Sequence, residues 1–413
     1  MRMRALLICF CCMVFHLANA NVVTVCKTCA VKEIKQAFSI AKPYDTILIK
    51  QGTYVCVNET IQQPQVVIGE NFPVLDGQQK DEVLIVTASN VSIYGLAIHN
   101  SKCGSMKDHA GLRVFKAQNV RIENCVLQNT FFGIYLSDSK HITLSRCKSK
   151  GANYGKSDTG NGIHLWKCDS INIDNCTIDG HRDGIYLEFA KHCSINNNYC
   201  TKNYRYGLHF MFSDNDTYRH NTFINNGTGV AVMYSKGVHM FHNRFINNWG
   251  DAAYALLLKD MDDGIIKHNT FQNNTVGVTM EGGNNMRFEG NNFLNNGYAI
   301  KVMANCRLDT FVRNNFSGNT FDASTNGELK ENLFSHNYWD KYTGYDLNRD
   351  AVGDVPYHPV SLYSVLVEQM PYAVMLLRSF TVDLLNTAER SIPSIVPATF
   401  VDETPLMKMI SRP

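Results

Sequence analysis

Beyond its first seventeen residues the chain has no apolar run long enough to cross a bilayer, and it carries almost no net charge. Its 39 basic residues face 37 acidic ones. A surface so balanced offers no electrostatic basis for binding nucleic acid or an anionic membrane, and both classes of partner are set aside. The recognisable local signatures of catalysis are missing as well. There is no nucleophile elbow and no phosphate-binding loop. Alanine, not histidine, follows the Cys26-x-x-Cys29 pair, which removes covalent haem attachment.

What is present begins with an export signal. Arg2 and Arg4 form a basic start, Ala5 to Leu17 is a short apolar stretch, and Ala18-Asn19-Ala20 fits a cleavage site. Residues 1–20 are therefore read as a signal peptide, with a mature chain that begins near Asn21 and is soluble outside the cytoplasm. Of the 14 cysteines, Cys9, Cys11 and Cys12 lie in that signal, and the odd number left requires at least one unpaired thiol. Cys26 and Cys29 suit a disulfide, a redox pair or a metal clip, with a terminal staple the plainest of the three.

Self-similarity dominates the middle of the chain. A Gly-apolar-x-apolar unit recurs at Gly111, Gly133, Gly162, Gly184, Gly207, Gly229 and Gly277, with Ala255 and Ala299 in place of glycine. The spacing is mostly 22 residues, with longer coils around Ala152–Asn161 and Trp249–Tyr254. A second ladder starts at Asn124, Asn175, Asn198, Asn221, Asn243, Asn269, Asn291 and Asn314. The apolar stretches are short and alternate, as in Ile163-His164-Leu165, which is strand periodicity. Gly and Asn tolerate the left-handed backbone of sharp corners.

These features predict an all-β, right-handed, single-stranded parallel β-helix with coils of about 22 residues. Phe223, Phe245, Phe271, Phe293 and Phe316 would stack inside it. Residues 21–55 read as an N-terminal cap and first coil, with Val31–Ala41 as an amphipathic helix, and 56–328 as the β-helix. Residues 329–413 read as a C-terminal cap and docking tail, helical over Ser361–Met370 and Tyr372–Ala388 and then interrupted by Pro393, Pro397 and Pro405.

On such a solenoid the x positions point outward along one face. Coil by coil they are His164/Trp166, Tyr186/Glu188, His209/Met211, Ala231/Met233, Leu257/Lys259, Thr279/Glu281 and Lys301/Met303. His209 and Met211 emerge side by side, and Met233 lies directly over Met211. One imidazole with two thioethers is a soft donor set suited to copper, as Cu(I). An exposed site of low charge favours transient holding. The opposing reading is that the two methionines only pack beneath a loop or cap. His220, His242 and His268 form a second column, better read as polar residues at a solvated corner than as ligands. His99, Cys103, Met106 and His109 have metal-capable side chains without a recognised spacing. Asp346, Asn348 and Asp350 open like a calcium loop, but Ala351 replaces its glycine and Tyr357 its closing glutamate, so a hydrogen-bonded turn is expected. A polysaccharide-cleaving β-helix needs paired outward carboxylates. Here Glu188 stands alone in its patch, Asp183 and His181 sit near a corner, and Asp260, Asp262 and Asp263 crowd another loop, so the chain reads as non-catalytic.

Arg205-Tyr-Gly-Leu-His-Phe-Met-Phe-Ser213 resembles the NosD family, the periplasmic β-helical component of nitrous oxide reductase maturation. Asn247-Asn-Trp-Gly through Asp260, Asn337-Tyr-Trp-Asp, Gly344-Tyr-Asp, Gly353-Asp-Val-Pro-Tyr357 and Leu376-Leu-Arg-Ser379 extend the likeness. The resemblance implies a non-enzymatic, periplasmic copper-handling protein that sits on an ABC-type permease and its ATPase and touches the membrane only through them. It further implies a copper chaperone lipoprotein and nitrous oxide reductase as partners, with the motif placed on Tyr206, Gly207, His209 and Met211. Met233 follows from stacking alone. The Cys125, Cys147, Cys176 column is not part of the likeness; crosslinks between coils or a second metal site stay open. A polysaccharide-acting or polysaccharide-binding β-helix is the alternative function.

Overall fold

A computed structural model describes residues 21–104, 107–152, 159–250, 253–327, 331–391 and 400–411. The export signal lies outside these residues, as do parts of both long-coil insertions, Met106, Pro393 and Pro397.

The short alternating stretches form three parallel sheets that wind around one apolar interior. The first sheet has 14 strands, from Val22–Val25 to Leu333–Ser335. The second has 13, from Thr53–Val55 to Tyr338–Trp339, and the third has 12, from Glu59–Ile61 to Phe321–Ser324. Every strand pairs with its equivalent one coil away, which is the register of a parallel β-helix of about 13 turns. At about 4.8 Å per coil the rod is roughly 60 Å long.

Two features lock the coils in register. Phe223, Phe245, Phe271, Phe293, Phe316 and Trp339 stack through the interior, with centroids 5.4, 4.7, 4.8, 4.8 and 4.0 Å apart. On either side of them run ladders of buried asparagines. One passes through Asn198, Asn221, Asn243, Asn269, Asn291, Asn314 and Asn337. The other passes through Asn203, Asn226, Asn248, Asn274, Asn296 and Asn319, a second column that the repeat analysis does not predict. Each Oδ1 accepts from the backbone N–H and the Nδ2 of the preceding coil, as Asn243 does from Asn221 at 3.0 Å each. These bonds satisfy interior corner amides that water cannot reach.

Asn124 and Asn175 do not belong to this ladder. They stand one residue away, at left-handed corners with φ of 54° each. The cysteines that follow them occupy the ladder column: Cys125, Cys147 and Cys176 lie in register with Asn198. Hydrogen bonding to Cys147, reinforced by burial, holds the Cys125 and Cys176 thiols well above their ordinary range. These three are unpaired interior thiols, so no crosslink joins their coils, whereas Cys26 and Cys29 form a disulfide.

The ends are closed differently. Helix α1 (Ile34–Ile40) buries Ile34 and Ala37 at the start. At the far end Asp402 terminates the ladder, accepting from Asn337 and from Trp339 Nε1 at 3.0 Å, while Phe400 covers Phe334. The helical segment therefore lies beside the rod. Helix α2 (Leu362–Gln369) packs Tyr363 against Phe321 on the third sheet, and Glu368 meets Lys301 at 3.0 Å. The second expected helix is split into a 3-10 turn (Pro371–Leu376) and α3 (Phe380–Ser391), because Arg378 adopts φ of 64° between them. Among the described residues no helix is long and apolar enough to cross a membrane.

Candidate functional site

The third sheet presents its outward side chains in two register columns. One holds Arg113, Tyr135, His164, Tyr186, His209 and Ala231; the other holds Trp166, Glu188, Met211 and Met233. The structure thus brings His209, Met211 and Met233 together, with Met211 and Met233 paired across adjacent coils.

A third group arrives through a break in strand alternation. A Cβ built on Gly207 would meet Asn226 Nδ2 at 2.9 Å and Phe223 Cδ1 at 3.0 Å, both interior atoms. Gly207 and Leu208 consequently both face inward, and Tyr206 emerges on the same side as His209. The same break at Gly184 turns Asp183 outward. Strict alternation misplaces these residues, so Asp183, expected near a corner, instead joins the outward face beside Arg205.

His209 sits inside this cluster. Tyr186 stacks on its ring at 4.7 Å and 21°, and Tyr206 lies against it at 4.7 Å and 47°. Arg205 donates through Nε to Asp183 Oδ1 at 2.8 Å and through Nη2 to Oδ2, and its guanidinium lies 4.8 Å from the Tyr206 ring centre. His209 Nδ1 is 3.8 Å from Asp183 Oδ2. Burial pushes the Asp183 carboxyl up, but the bonds from Arg205 and the proximity of His209 outweigh it, so the group is held below its ordinary range.

The environment differs from the exposed, low-charge site expected. His209 is only 5% exposed, and an ion pair adjoins it. Yet among the described residues neither of its ring nitrogens has a hydrogen-bond partner. A buried imidazole without partners is costly unless something occupies those nitrogens. Met211 and Met233 are partly exposed, so the thioethers form the outer edge of the cluster. Tyr186 Oη donates to Met211 Sδ at 3.6 Å. Burial pushes the Tyr186 hydroxyl up to about 12, which keeps it a neutral donor.

His164 continues the row toward the N-terminus, 4.6 Å from Tyr135 and 4.8 Å from Tyr186. Its Nε2 is also buried and unpartnered, and burial drives its imidazole down to about 3. Tyrosines and imidazoles therefore alternate along the face, and Arg113 covers the end of the row 4.3 Å from the Tyr135 ring.

The other candidates resolve differently. His220, His242 and His268 do stack, with centroids 5.0 and 5.2 Å apart at left-handed corners. The rings are nearly parallel, at 6° and 21°, so their in-plane lone pairs run side by side and do not converge on one ion. His99 and His109 are not drawn together: His109 pairs with Asp81 at 2.8 Å, while His99 lies on the second sheet. In the calcium-like loop, Asp346 accepts from the amides of Arg349, Asp350 and Ala351, and Asp350 from that of Val352, forming a hydrogen-bonded turn. Among the described residues no three side chains of His, Cys, Asp and Glu converge as metal ligands.

Comparison with known proteins gives this geometry a context. Residues 146–348 match the model of the family described as "Periplasmic copper-binding protein (NosD)", and residues 38–157 match that of a right-handed β-helix region. A relative from Stutzerimonas stutzeri, named "Probable ABC transporter binding protein NosD", is 34% identical over 73 residues, which is 18% of this chain and 17% of the relative. The aligned stretch is thus less than a fifth of either protein. Among solved structures, the Yersinia enterocolitica family 28 exopolygalacturonase superposes with a TM-score of 0.59 at 11% identity, covering 77% of this chain and 79% of the enzyme. The periplasmic alginate epimerase AlgG gives 0.54 at 13%, covering 70% and 76%. These two likenesses concern the fold alone. Over residues 146–348, which include the whole His209 cluster, the chain carries the sequence pattern of the NosD family on a right-handed parallel β-helix.

Proposed function

We propose that this chain is a periplasmic, non-catalytic accessory protein that holds copper in transit and works with an ABC-type transporter in the maturation of nitrous oxide reductase. The observation that carries the reading is His209, a buried imidazole with both nitrogens unpartnered, beside two thioethers in register on adjacent coils. One imidazole and two thioethers favour Cu(I) over harder ions, and thioethers do not form disulfides in an oxidising compartment. Copper here is cargo, so the partly open edge at Met211 and Met233 is where a donor or acceptor would meet it.

The family description supports the copper and the compartment, and the relative's name supports the transporter. The strands Leu333–Ser335 and Tyr338–Trp339 carry the β-helix past the expected boundary at residue 328, so in this proposal an N-terminal cap from Asn21 precedes the rod and the docking tail begins after Trp339. The 3-10 turn and α3 carry Tyr372, Met375 and Phe380 at 87, 83 and 81% exposure, an apolar surface suited to a membrane permease.

Anaerobic Cu(I) titration of the signal-less chain tests the reading. Near-stoichiometric binding that is lost in a folded His209→Ala/Met211→Ala variant supports it; equal binding by both proteins refutes the assignment of these residues.

A second reading rests on the row of Arg113, Tyr135, His164 and Tyr186 ending beside Glu188, polar and aromatic side chains of the kind that bind an acidic glycan. Retention on immobilised uronate polymers, abolished by Arg113→Ala, would favour it.

A further inference from the structure

An imidazole that binds a metal through one nitrogen needs its other nitrogen held, or ring orientation and basicity are lost. The geometry points to Asp183 as the group that holds it: we infer that Asp183, clamped by Arg205, is the positioning residue that keeps the proton on His209 Nδ1 and leaves Nε2 as the copper-binding atom. This inference rests on the copper reading of His209 given above.

Three observations carry it. First, the ring is buried and packed between two aromatic neighbours, stacked on Tyr186 and tilted against Tyr206, so it can slide or tilt slightly but has little freedom to turn over. Second, the two ring edges are chemically unequal. Nδ1 faces a carboxylate oxygen 3.8 Å away, and Nε2 is buried without a partner. Third, the carboxylate is fixed. Asp183 is fully buried, and Arg205 engages both of its oxygens from the other side.

At 3.8 Å the contact is an ion-pair distance rather than a hydrogen bond. A ring movement of about 1 Å brings Nδ1–H into hydrogen-bonding range of Oδ2. Metal at Nε2 makes Nδ1–H a stronger donor, so loading and closure of this bond reinforce each other. The charges agree. Arg205 and Asp183 cancel in the free protein, and a bound Cu(I) then adds one positive charge. Without the carboxylate the same copper would lie near an uncompensated guanidinium.

The test is an anaerobic competition titration of the full mature chain with a Cu(I) chelator, comparing wild type, His209→Ala and Asp183→Asn. Expected are loss of the site in His209→Ala and a 10- to 100-fold weaker affinity at unchanged stoichiometry in Asp183→Asn. Asp183→Asn within twofold of wild type, while His209→Ala abolishes binding, overturns this inference and leaves the copper reading standing. Unchanged binding by His209→Ala removes the copper reading itself, and this inference with it. Should Asp183→Asn fail to fold, long-range ¹H–¹⁵N spectra of histidine-labelled wild type decide the matter. A proton on Nδ1, with the Nε2 resonance moving on Cu(I) addition, supports the assignment. The opposite tautomer overturns it.

Discussion

Asp216 is a carboxylic acid inside the rod, and neutralising it should stabilise the protein at neutral pH. The side chain is fully buried, its Oδ1 accepts the Cys193 amide at 2.7 Å, and its Oδ2 has no partner. Burial, the leading cause, pushes its pKa from 3.8 up to about 7. A group whose pKa is raised on folding binds its proton more tightly in the native state. Its stabilising contribution is complete below about pH 4 and is lost as pH rises through about 7. A displacement from 3.8 to about 7 corresponds to roughly 4 kcal/mol between those limits. The fold already contains the substitute. Asn332, in the same column, accepts the Asp309 amide at 2.8 Å through Oδ1 and donates from Nδ2 to the Cys306 carbonyl at 3.2 Å. Asp216→Asn keeps the acceptor for Cys193. Any amide proton left unpaired costs about 1–3 kcal/mol, so the net gain at pH 8 is on the order of 1–3 kcal/mol, with none at pH 4. Urea denaturation of both proteins from pH 4 to 8 measures it. A wild-type midpoint that is flat over that range, or a variant displaced equally at every pH, would refute the reasoning.

The remaining predictions concern the ladders, the glycine break and the docking tail. Asn243→Ala leaves the buried Asn221 amide without its acceptor and takes one bond each from the Asn221 Nδ2, the Tyr218 carbonyl and the Asn269 Oδ1, and should cost about 3 kcal/mol in chemical denaturation. His242→Ala, at the exposed corner beside it, should stay within about 0.5 kcal/mol of wild type. Gly207→Ala places a methyl 2.7 Å from the Gly229 carbonyl, so it should destabilise by about 1–3 kcal/mol and weaken Cu(I) binding, as a paired melt and titration would show. Met375→Ser/Phe380→Ser should leave the melting temperature of the isolated chain unchanged and abolish its co-purification with the transporter; normal co-purification would remove those residues from the docking surface.

Much of this fold is legible in the sequence because a solenoid repeats its physics every coil. Gly184, Gly207 and Gly229 announce the coil length, and Phe223 to Phe316 announce the interior, without any long-range pairing to be guessed. The asparagine ladder is harder to separate from the corner asparagines beside it. Asn197 and Asn198 are chemically identical in the sequence, yet one turns a left-handed corner in solvent and the other bridges coils in the interior. At Asn175 and Cys176 the same two roles fall to different residue types, so a ladder traced by asparagine alone slips by one position. The site was legible in part for a related reason. His209, Met211 and Met233 obey simple alternation, so the pattern alone places them on one outward face. Asp183 and Tyr206 precede the glycines that break it, and a period-two reading sends their side chains to the wrong side.

That break also explains why the site lies where it does on an otherwise monotonous rod. A regular strand projects every second residue outward, which gives each coil two side chains about 7 Å apart along the strand. Such a pair can offer donors but cannot enclose them. The inward turn at Gly207 adds a third outward residue close to His209, and the same turn at Gly184 supplies Asp183 from the coil before. The scaffold beneath is fixed by Asn203, just ahead of Gly207, whose Nδ2 donates to Asn226 in the next coil at 2.9 Å. Farther along, Gly229 and Gly277 preserve the break, but Ala231 and Thr279 stand where His209 does, so the same backbone carries no imidazole there. The repeat thus supplies the geometry in many coils, and chemistry appears only where polar, aromatic and sulfur side chains coincide on successive turns.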